Sequence, residues 1–374
     1  MINVPTARRP GVAGLAIALA LLGCAIAPLA AAKIKIDAQY VRNGKAVELH
    51  CTDEATGKEV ACPEARLKKE LGMRPVEIAF SGRDFAELDA IFDRVSSGQQ
   101  RFADGDSYLD TYEEALAGHM RRWQRWDAHL EEIKQWQKER PGSNAAKFAE
   151  AVYWRTSAWN ARGEGYAASV APDSWKLFAE RLAKAGDSID QLKPIAKQFP
   201  AWYEFKMNLA LETGNPEQVR AIFDEGVAIH RDYYRLYLVM GRAYDPKWGG
   251  DPAAFERFAN EAVRLARGFE GRGMYGRLFW SVDNVHGLPL MGPKSVVPSW
   301  PKLNAAFADL VKHHPDSFHI LNRYASIACR ANDAVLYRKL RTRLGDYLDE
   351  RHFDVVAVDV CDSRFHWQAP AAKF

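Results

Sequence analysis

The chain has 374 residues, and its 51 lysine and arginine residues nearly balance its 48 aspartate and glutamate residues. A chain of this length can bury the core of one large domain or of two medium domains. Charges of both signs are interspersed along the sequence, whereas a nucleic-acid-binding surface needs a basic stripe. The charge pattern therefore excludes nucleic acid as the partner.

Residues 1–32 have the pattern of a cleavable targeting segment. Arg8 and Arg9 precede an apolar run, Gly11–Ala27, which is too short for a comfortable membrane span. Consecutive alanines then supply the small residues that a signal peptidase requires. We expect export to the periplasm, with no transmembrane segment in the mature chain. The alternative is a lipoprotein anchored through Cys24, because the four residues ending there resemble a lipoprotein box.

Residues 33–63 differ from the rest of the chain, because apolar and polar residues alternate there at strand spacing. Asn43-Gly44 lies between the two alternating runs and is a strong hairpin signal. Cys51 and Cys62 are close enough in sequence to form a disulfide in an oxidising compartment. We predict a small β-hairpin with a stapled loop in front of a helical domain.

Residues 64–349 carry apolar residues every three or four positions, which predicts a succession of amphipathic helices. Asp84-x-x-Glu87 is a capping box that opens one helix, and Pro194 ends or kinks another. Another helix carries a tryptophan-rich stripe whose spacing favours a core face over an aromatic platform for sugars or peptides. The stripe consists of Trp123, Trp126, Leu130, Ile133 and Trp136.

Pro200–Ala266 has the layout of consecutive helix pairs. Asn215 is a good N-cap, and Pro216 suits the first position of a helix. Small and aromatic residues here resemble those of tetratricopeptide repeats. They are Gly214, Asn215, Phe223, Gly226, Tyr237, Met240, Gly241 and Tyr244. We predict a mostly α fold of repeat-like antiparallel helix pairs, an α-solenoid, with a generic helical bundle as the alternative.

A second set of motifs extends over about residues 70–345. Its members are Phe85-x-x-Leu88-Asp89, Trp159-x-x-Arg162-Gly163-x-Gly165, Trp175-x-x-Phe178-x-x-Arg181-Leu182, Trp202-Tyr203, Tyr233-Tyr234, Lys247-Trp248-Gly249-Gly250 and Asn322-Arg323-Tyr324-Ala325. This order of motifs resembles bacterial domain-of-unknown-function family 4034. The resemblance implies a helical, repeat-like domain in bacterial proteins with no established activity, and it transfers no catalytic residue.

Two turns, at residues 162–166 and 246–252, are candidate ligand sites. Trp248 lies between a lysine and two glycines, where it could form a lid over a ligand or fill a groove between helices. The loop Gly287–Pro298 is long enough to be a candidate for contact with a partner. The candidate ligand-binding or partner-binding residues are Trp159, Arg162, Glu164, Trp248, Trp280 and His286.

We find no arrangement of residues typical of a known catalytic site. Asp104, Asp106 and Asp110 suggest a calcium loop, but Leu109 occupies the position that requires glycine, so a turn is favoured. We therefore expect no catalytic residue, no metal and no cofactor. The leading hypothesis is an exported scaffold that binds a protein, a peptide or an envelope component in its concave face.

Two other functions remain open. The protein could be an envelope hydrolase or transferase with a site near the 162–166 and 246–252 turns, in which Glu164, Asp283 and His286 meet only in three dimensions. It could also be a purely structural, anchored envelope protein. The sequence indicates no oligomeric state.

The C-terminal residues 350–374 are expected to form a tail. Phe353–Val360 contains several β-branched residues, which predicts an extended segment. Cys329 and Cys361 form the second candidate disulfide. A bond between them would pin the tail to the last helix pair and cover its exposed apolar end.

Overall fold

The computed structural model describes residues 34–39, 48–54, 56–60, 62–245, 248, 250–286 and 298–368. Within these ranges the protein is mostly helical, and a small antiparallel sheet precedes the helices. The predicted fold class is confirmed. The asparagine–glycine turn at residues 43–44 and the loop at residues 287–297 lie outside the described residues.

The sheet contains β1 (Ile34–Gln39), β2 (Glu48–Asp53) and β3 (Glu59–Val60), in the order β1-β2-β3. Both neighbouring pairs are antiparallel. Cys51 of β2 is bonded to Cys62, which follows β3, with a sulfur–sulfur distance of 2.03 Å. The predicted disulfide is therefore confirmed, and the hairpin gains a short third strand.

The α-helices follow in an almost unbroken series. In chain order they are α1 (Glu64–Leu67), α2 (Arg74–Ser81), α3 (Phe85–Val95), α4 (Tyr108–Trp123), α5 (Trp126–Glu139), α6 (Asn144–Arg162), α7 (Pro172–Asp190), α8 (Pro200–Glu212), α9 (Pro216–Ile229), α10 (Tyr234–Ala243), α11 (Pro252–Leu265), α12 (Gly273–His286), α13 (Trp300–His313), α14 (Phe318–Arg330), α15 (Ala334–Leu344) and α16 (Val358–Arg364). A π-helical segment, Lys68–Met73, joins α1 to α2.

From α6 onwards, successive helices pack as pairs connected mostly by short turns. The turn between α8 and α9 shows why the chain reverses there. Gly214 has a φ of +75°, and the Asn215 side chain accepts a hydrogen bond from the backbone N–H of Gln218 at 3.1 Å. This cap satisfies a free N–H group in the first turn of α9. The packing is consistent with a helical repeat.

Small residues bring the helices close together. A Cβ atom at Gly226 of α9 would lie 3.1 Å from the Tyr203 Cβ of α8. A Cβ atom at Gly241 of α10 would lie 2.8 Å from a methyl group of Leu278 on α12. The first helices of consecutive pairs, α8, α10 and α12, therefore lie side by side. We call the side that these helices share with α6 and α14 the inner face.

The inner face is not an open groove along its whole length, because the chain's own loop Gly98–Ser107 lies across it. Gly105 of this crossing loop has a φ of +88°, and a Cβ atom there would lie 2.6 Å from the Tyr234 ring. Arg101 Nη2 donates to Asp232 Oδ2 at 3.1 Å, and His314 Nδ1 lies 3.0 Å from the Ala103 carbonyl oxygen. The loop therefore covers the part of the inner face formed by α10 and the α12–α13 pair.

Two sequence predictions were wrong in detail. Trp123 is 58% exposed because it lies in the last turn of α4, whereas Ile133 and Trp136 of the same predicted stripe are fully buried in α5. Phe353–Val360 is not extended: it begins as a loop and enters α16. The Cys329–Cys361 disulfide between α14 and α16 is confirmed.

Candidate functional site

Polar side chains repeat at helical spacing on the inner face. Glu204, Asn208 and Glu212 are four residues apart on α8, and Arg235 and Arg242 are seven residues apart on α10. Such spacings place these side chains on one face of each helix. The resulting polar stripe consists of Asp110, Glu113, Arg155, Glu204, Asn208, Glu212, Arg235, Arg242 and Arg277.

At the centre of the stripe, one tyrosine hydroxyl lies between two carboxyl groups. Tyr233 Oη is 2.7 Å from Asp110 Oδ1 and 2.9 Å from Glu204 Oε2. Arg235 Nε donates to the other oxygen of Glu204 at 2.9 Å. Burial, together with the nearby Glu204 carboxylate, raises the pKa of Asp110 to about 7. Since a hydroxyl has one proton to donate, a protonated Asp110 can donate to Tyr233 while Tyr233 donates to Glu204.

Towards α6, Arg155 is bound by two acids. Its Nη2 donates to Glu212 Oε1 at 2.6 Å, and its Nε is 3.1 Å from the same oxygen. Arg155 Nη1 also lies 3.6 Å from Glu113 Oε1. Burial and the Glu204 carboxylate raise the pKa of Glu113 to about 7. Glu212 is almost fully covered and accepts a further bond from Trp159 Nε1 at 3.0 Å. Both oxygens of its carboxylate are therefore hydrogen-bonded within the protein.

Two aspartates of the crossing loop, Asp104 and Asp106, are paired with a basic side chain. Lys68 donates to Asp104 and to Asp106, the second at 2.6 Å. Burial opposes the ionisation of Asp106, but Lys68 and Arg277 hold the pKa of this carboxyl at about 2. Arg277 Nε donates to Glu270 Oε1 at 2.6 Å. Asp104 and Asp106, which had suggested a calcium loop, thus bind an ammonium group of the same chain.

At the C-terminal end of the helical domain, α1 contacts α14. Glu64 Oε2 accepts bonds from Ser317 Oγ at 2.8 Å and from the His319 backbone N–H at 3.0 Å. The His319 ring lies 4.8 Å from the Trp280 ring and 4.5 Å from the His352 ring, measured between centroids. Burial and the charge of Asp104 raise the pKa of Glu64 to about 7, whereas burial and Lys68 lower the pKa of His319 to about 4. We call Glu64, Trp280, His319 and His352 the C-terminal cluster.

The structure brings three of the sequence-predicted site residues together. The Arg162 guanidinium lies 5.3 Å from the Trp159 ring centroid, and the Trp248 ring lies 6.4 Å from the Trp159 ring. Arg162 also lies 5.0 Å from the Trp175 ring and donates to the Gly163 carbonyl. These half-buried side chains form an aromatic corner beside the α6 end of the polar stripe.

Glu164 and Trp280 take no part in these ring contacts. Glu164 is exposed on the turn after α6. Trp280 is buried in the C-terminal cluster, and its Nε1 has no hydrogen-bond partner among the described residues. His286 ends α12, but its side chain and that of Asp283 lie outside the described residues.

Among the described side chains, no group of three or more histidine, cysteine or acidic residues could hold a metal ion. A shallow cavity of about 350 Å³ lies at the turn between α5 and α6. Its Asp89 carboxylate accepts bonds from Trp136 Nε1 and Ser143 Oγ, which gives it a structural role. No described helix is long and apolar enough to cross a membrane.

The polar stripe was not predicted from the sequence, although one signal was present. Helix α8 is mostly apolar, and apart from Lys206 its polar residues are Glu204, Asn208 and Glu212, at four-residue intervals. A buried helix with regularly spaced polar residues indicates partners for them on neighbouring helices. The partners themselves, on α4, α6 and α10, are distant in sequence.

Comparison with known families supports the resemblance drawn from the sequence. Residues 76–232 match the sequence model of a family described as a domain of unknown function (DUF4034). The matched range extends from α2 to the residue before Tyr233, and it contains the stripe residues of α4, α6 and α8. No curated protein matches the chain.

Proposed function

We propose that the protein is an exported helical scaffold whose inner face binds a protein or peptide of the cell envelope. The observation that carries this proposal is the polar stripe, whose side chains from α4, α6, α8 and α10 converge while remaining partly open to solvent. Arg235 is 44% exposed and Arg155 is 20% exposed, although the glutamates that they bind are almost fully covered. A surface of this kind presents charge to a ligand from a rigid scaffold.

Export and domain organisation belong to the same proposal. Two disulfides favour folding in an oxidising compartment such as the periplasm. The leader-like residues 1–32 support the same location, with anchoring through Cys24 as the alternative. We divide the mature chain into the sheet at 33–63, the helical domain at 64–349 and a C-terminal segment at 350–374.

The part of the inner face available to a partner is the α6–α8–α10 end. The crossing loop covers the region near Tyr234, whereas Leu238 of α10 is only partly buried, between Arg235 and Arg242 on the same side of the helix. The aromatic corner of Trp159 and Trp248 borders this end. An apolar residue and aromatic rings beside charged groups match the composition of protein-binding surfaces.

Substitution of Leu238 tests the proposal. Tagged mature protein should recover a defined molecule from envelope extracts, and the purified pair should bind in solution. Leu238→Glu should weaken that binding at least tenfold, because it places a charge at the contact. Val335→Glu, at a 74% exposed position on the outer helix α15, should leave binding unchanged. Equal binding by both variants, or no reproducible partner, would contradict the proposal.

An enzymatic alternative is favoured by one observation, the C-terminal cluster. A glutamic acid whose pKa is raised to about 7 lies beside His319, whose lowered pKa keeps its ring neutral at that pH. Such a pair suits general acid–base chemistry of an envelope hydrolase or transferase. Purified protein incubated with isolated cell-wall material should then release soluble fragments, and Glu64→Gln should abolish the release. Fragment release that persists in Glu64→Gln, or no release at all, counts against the alternative.

A further inference from the structure

Arg242 differs from its neighbours in the polar stripe, because no carboxylate of the described chain pairs with it. Arg155 binds Glu212, and Arg235 binds Glu204. Arg242 Nη2 instead donates to the neutral Asn208 side chain, and the buried Arg242 Nε has no hydrogen-bond partner in the described part of the chain. An arginine held in this way lacks the counter-ion that buried guanidinium groups normally have.

The surroundings of Arg242 add to this lack of a counter-ion. Burial, followed by the positive charge of Arg155, lowers the pKa of Arg242 to about 10. Glu212 and Glu204 are nearby acids, but both oxygens of Glu212 are bonded to Arg155, and those of Glu204 are bonded to Arg235 and Tyr233. The carboxylates near Arg242 are therefore already bonded to other groups, and its guanidinium lies close to that of Arg155. An arriving anion would relieve the repulsion between them.

The geometry gives this position the form of a ligand site. Helices α6, α8 and α10 contribute Arg155, Asn208 and Arg242, and the half-buried side chains of both arginines remain in reach of solvent. A guanidinium group presents a planar set of N–H donors that matches the two oxygens of a carboxylate or phosphate. A neutral ligand would leave the charge uncompensated.

We propose that Arg242, with Asn208 and Arg155, forms a binding site for an anionic group, a carboxylate or a phosphate, of the molecule that occupies the inner face. This assignment rests on the proposed function and names the chemistry of the ligand. The aromatic corner next to it places the rings of Trp159 and Trp248 where the remainder of such a ligand would lie. Asn208 accepts from Arg242 and so fixes the direction of the guanidinium group.

The first test compares stability in two variants of the same helix. Arg242→Gln removes an unpaired charge, so the variant should melt at the same temperature as the wild-type protein or higher. Arg235→Gln removes the partner of the fully buried Glu204 and should lower the melting temperature. A marked fall in the melting temperature of Arg242→Gln would show that this arginine serves the fold and would overturn the proposal.

The second test measures binding to the mature full-length protein. The probes are inorganic phosphate, acetyl-dialanine with a free carboxylate, and acetyl-dialanine amide, each titrated at constant ionic strength by calorimetry. We expect phosphate or the free carboxylate to bind and the amide not to bind. The anion that binds more tightly identifies the ligand group. Arg242→Gln should lose at least tenfold in affinity. Absence of binding by both anions, or equal binding by the variant, would overturn the site.

The two proposals can fail separately. If an envelope partner binds the wild-type protein and Arg242→Gln equally well, the anion site is wrong and the scaffold function stands. If phosphate or the free carboxylate binds through Arg242 but no envelope partner is recovered, the site stands and the scaffold function is wrong.

Discussion

At the scale of single residues, the protein places acids in surroundings that change their protonation in opposite directions. Asp110 is buried against Glu204 and Tyr233, so its pKa rises to about 7. Asp106 lies four residues earlier, but Lys68 and Arg277 hold its pKa at about 2. The two pKa values differ because Lys68 and Arg277 lie near Asp106, whereas burial and the Glu204 carboxylate dominate at Asp110.

This contrast predicts how the stability of two variants, compared with that of the wild-type protein, changes with pH. Because folding raises the pKa of Asp110, the unfolded chain releases the proton first as the pH rises. The contribution of Asp110 to stability therefore falls between about pH 4 and pH 7, by at most about 1.4 kcal/mol per pH unit. Asp110→Asn keeps a neutral side chain, so its free energy of unfolding should improve relative to the wild-type protein over this interval.

Urea unfolding at several pH values measures this difference. Asp106→Asn is the matched control, because a carboxyl with a pKa of about 2 is ionised in both states above pH 5. The destabilisation caused by Asp106→Asn should therefore be constant between pH 5 and pH 8. If the free energy of unfolding of Asp110→Asn also differs from that of the wild-type protein by a constant amount, Asp110 is ionised throughout this range and the prediction is wrong.

At the scale of structural elements, the crossing loop depends on one glycine. Gly105 needs a positive φ, and a Cβ atom there would also lie 2.7 Å from the His314 ring. Gly105→Ala should destabilise the protein by roughly 2–5 kcal/mol, from backbone strain of about 1–2 kcal/mol together with overpacking of about 1–3 kcal/mol. Chemical denaturation gives this free energy directly.

Gly214→Ala separates these two contributions. Gly214 has a φ of +75°, but a Cβ atom there would meet nothing within 4 Å. This variant should show the backbone cost of about 1–2 kcal/mol alone. Equal destabilisation by the two substitutions would mean that the crossing loop does not pack closely against Tyr234 and His314.

The second disulfide holds α16 against the last helix pair. Cys329 and Cys361 are 32 residues apart, and Asp362 next to the bond accepts from Tyr337 Oη at 2.5 Å. Replacing both cysteines by alanine should lower the free energy of unfolding by about 3–4 kcal/mol, because the unfolded chain gains freedom. Thermal unfolding measured by circular dichroism at helical wavelengths would detect the change.

The first disulfide provides the control for this prediction. Cys51 and Cys62 are bonded within the N-terminal sheet, so we expect the helical core not to depend on their bond. Replacing both of these cysteines by alanine should leave the main helical transition almost unchanged. If the two double variants shift that transition equally, the C-terminal disulfide has no special role in the helical domain.

Helix positions were predictable from the sequence because they depend on local patterns. Apolar spacing and caps such as Asn215 act within a few residues, so α9 begins where its cap predicts. Helix α16 was missed because its β-branched residues suggested a strand. Its stability comes from contacts with α15, such as Arg338 Nη1 donating to the Phe365 carbonyl at 3.1 Å, which no local pattern shows.

At the scale of the whole molecule, the N-terminal segment folds back over the repeats. Glu64 bonds to Ser317, although 253 positions separate them in the sequence. Asp110 and Tyr233, which form the centre of the polar stripe, are 123 positions apart. The sequence showed polar residues in α8 and a glycine-containing turn at 104–106, but not that they would face the same helices.

The same long-range packing explains which part of the candidate site was predictable. Trp159, Arg162 and Trp248 were identified from turns and aromatic content, and they meet beside the stripe. Arg242 was not singled out, because an unpaired arginine is recognised only when its neighbours are known. The ligand site that we propose therefore combines residues visible in the sequence with one that only the fold reveals.

The central claim is that the inner face between α8 and α10 is where a partner binds. Site-specific photocrosslinking in living cells tests it most directly, with p-benzoylphenylalanine at Leu238 and, as the control, at Val335. We predict one discrete adduct at Leu238 that is identified by mass spectrometry, and none at Val335. Adducts at Val335 alone, or no adduct at Leu238 in cells that express the folded protein, would contradict the claim.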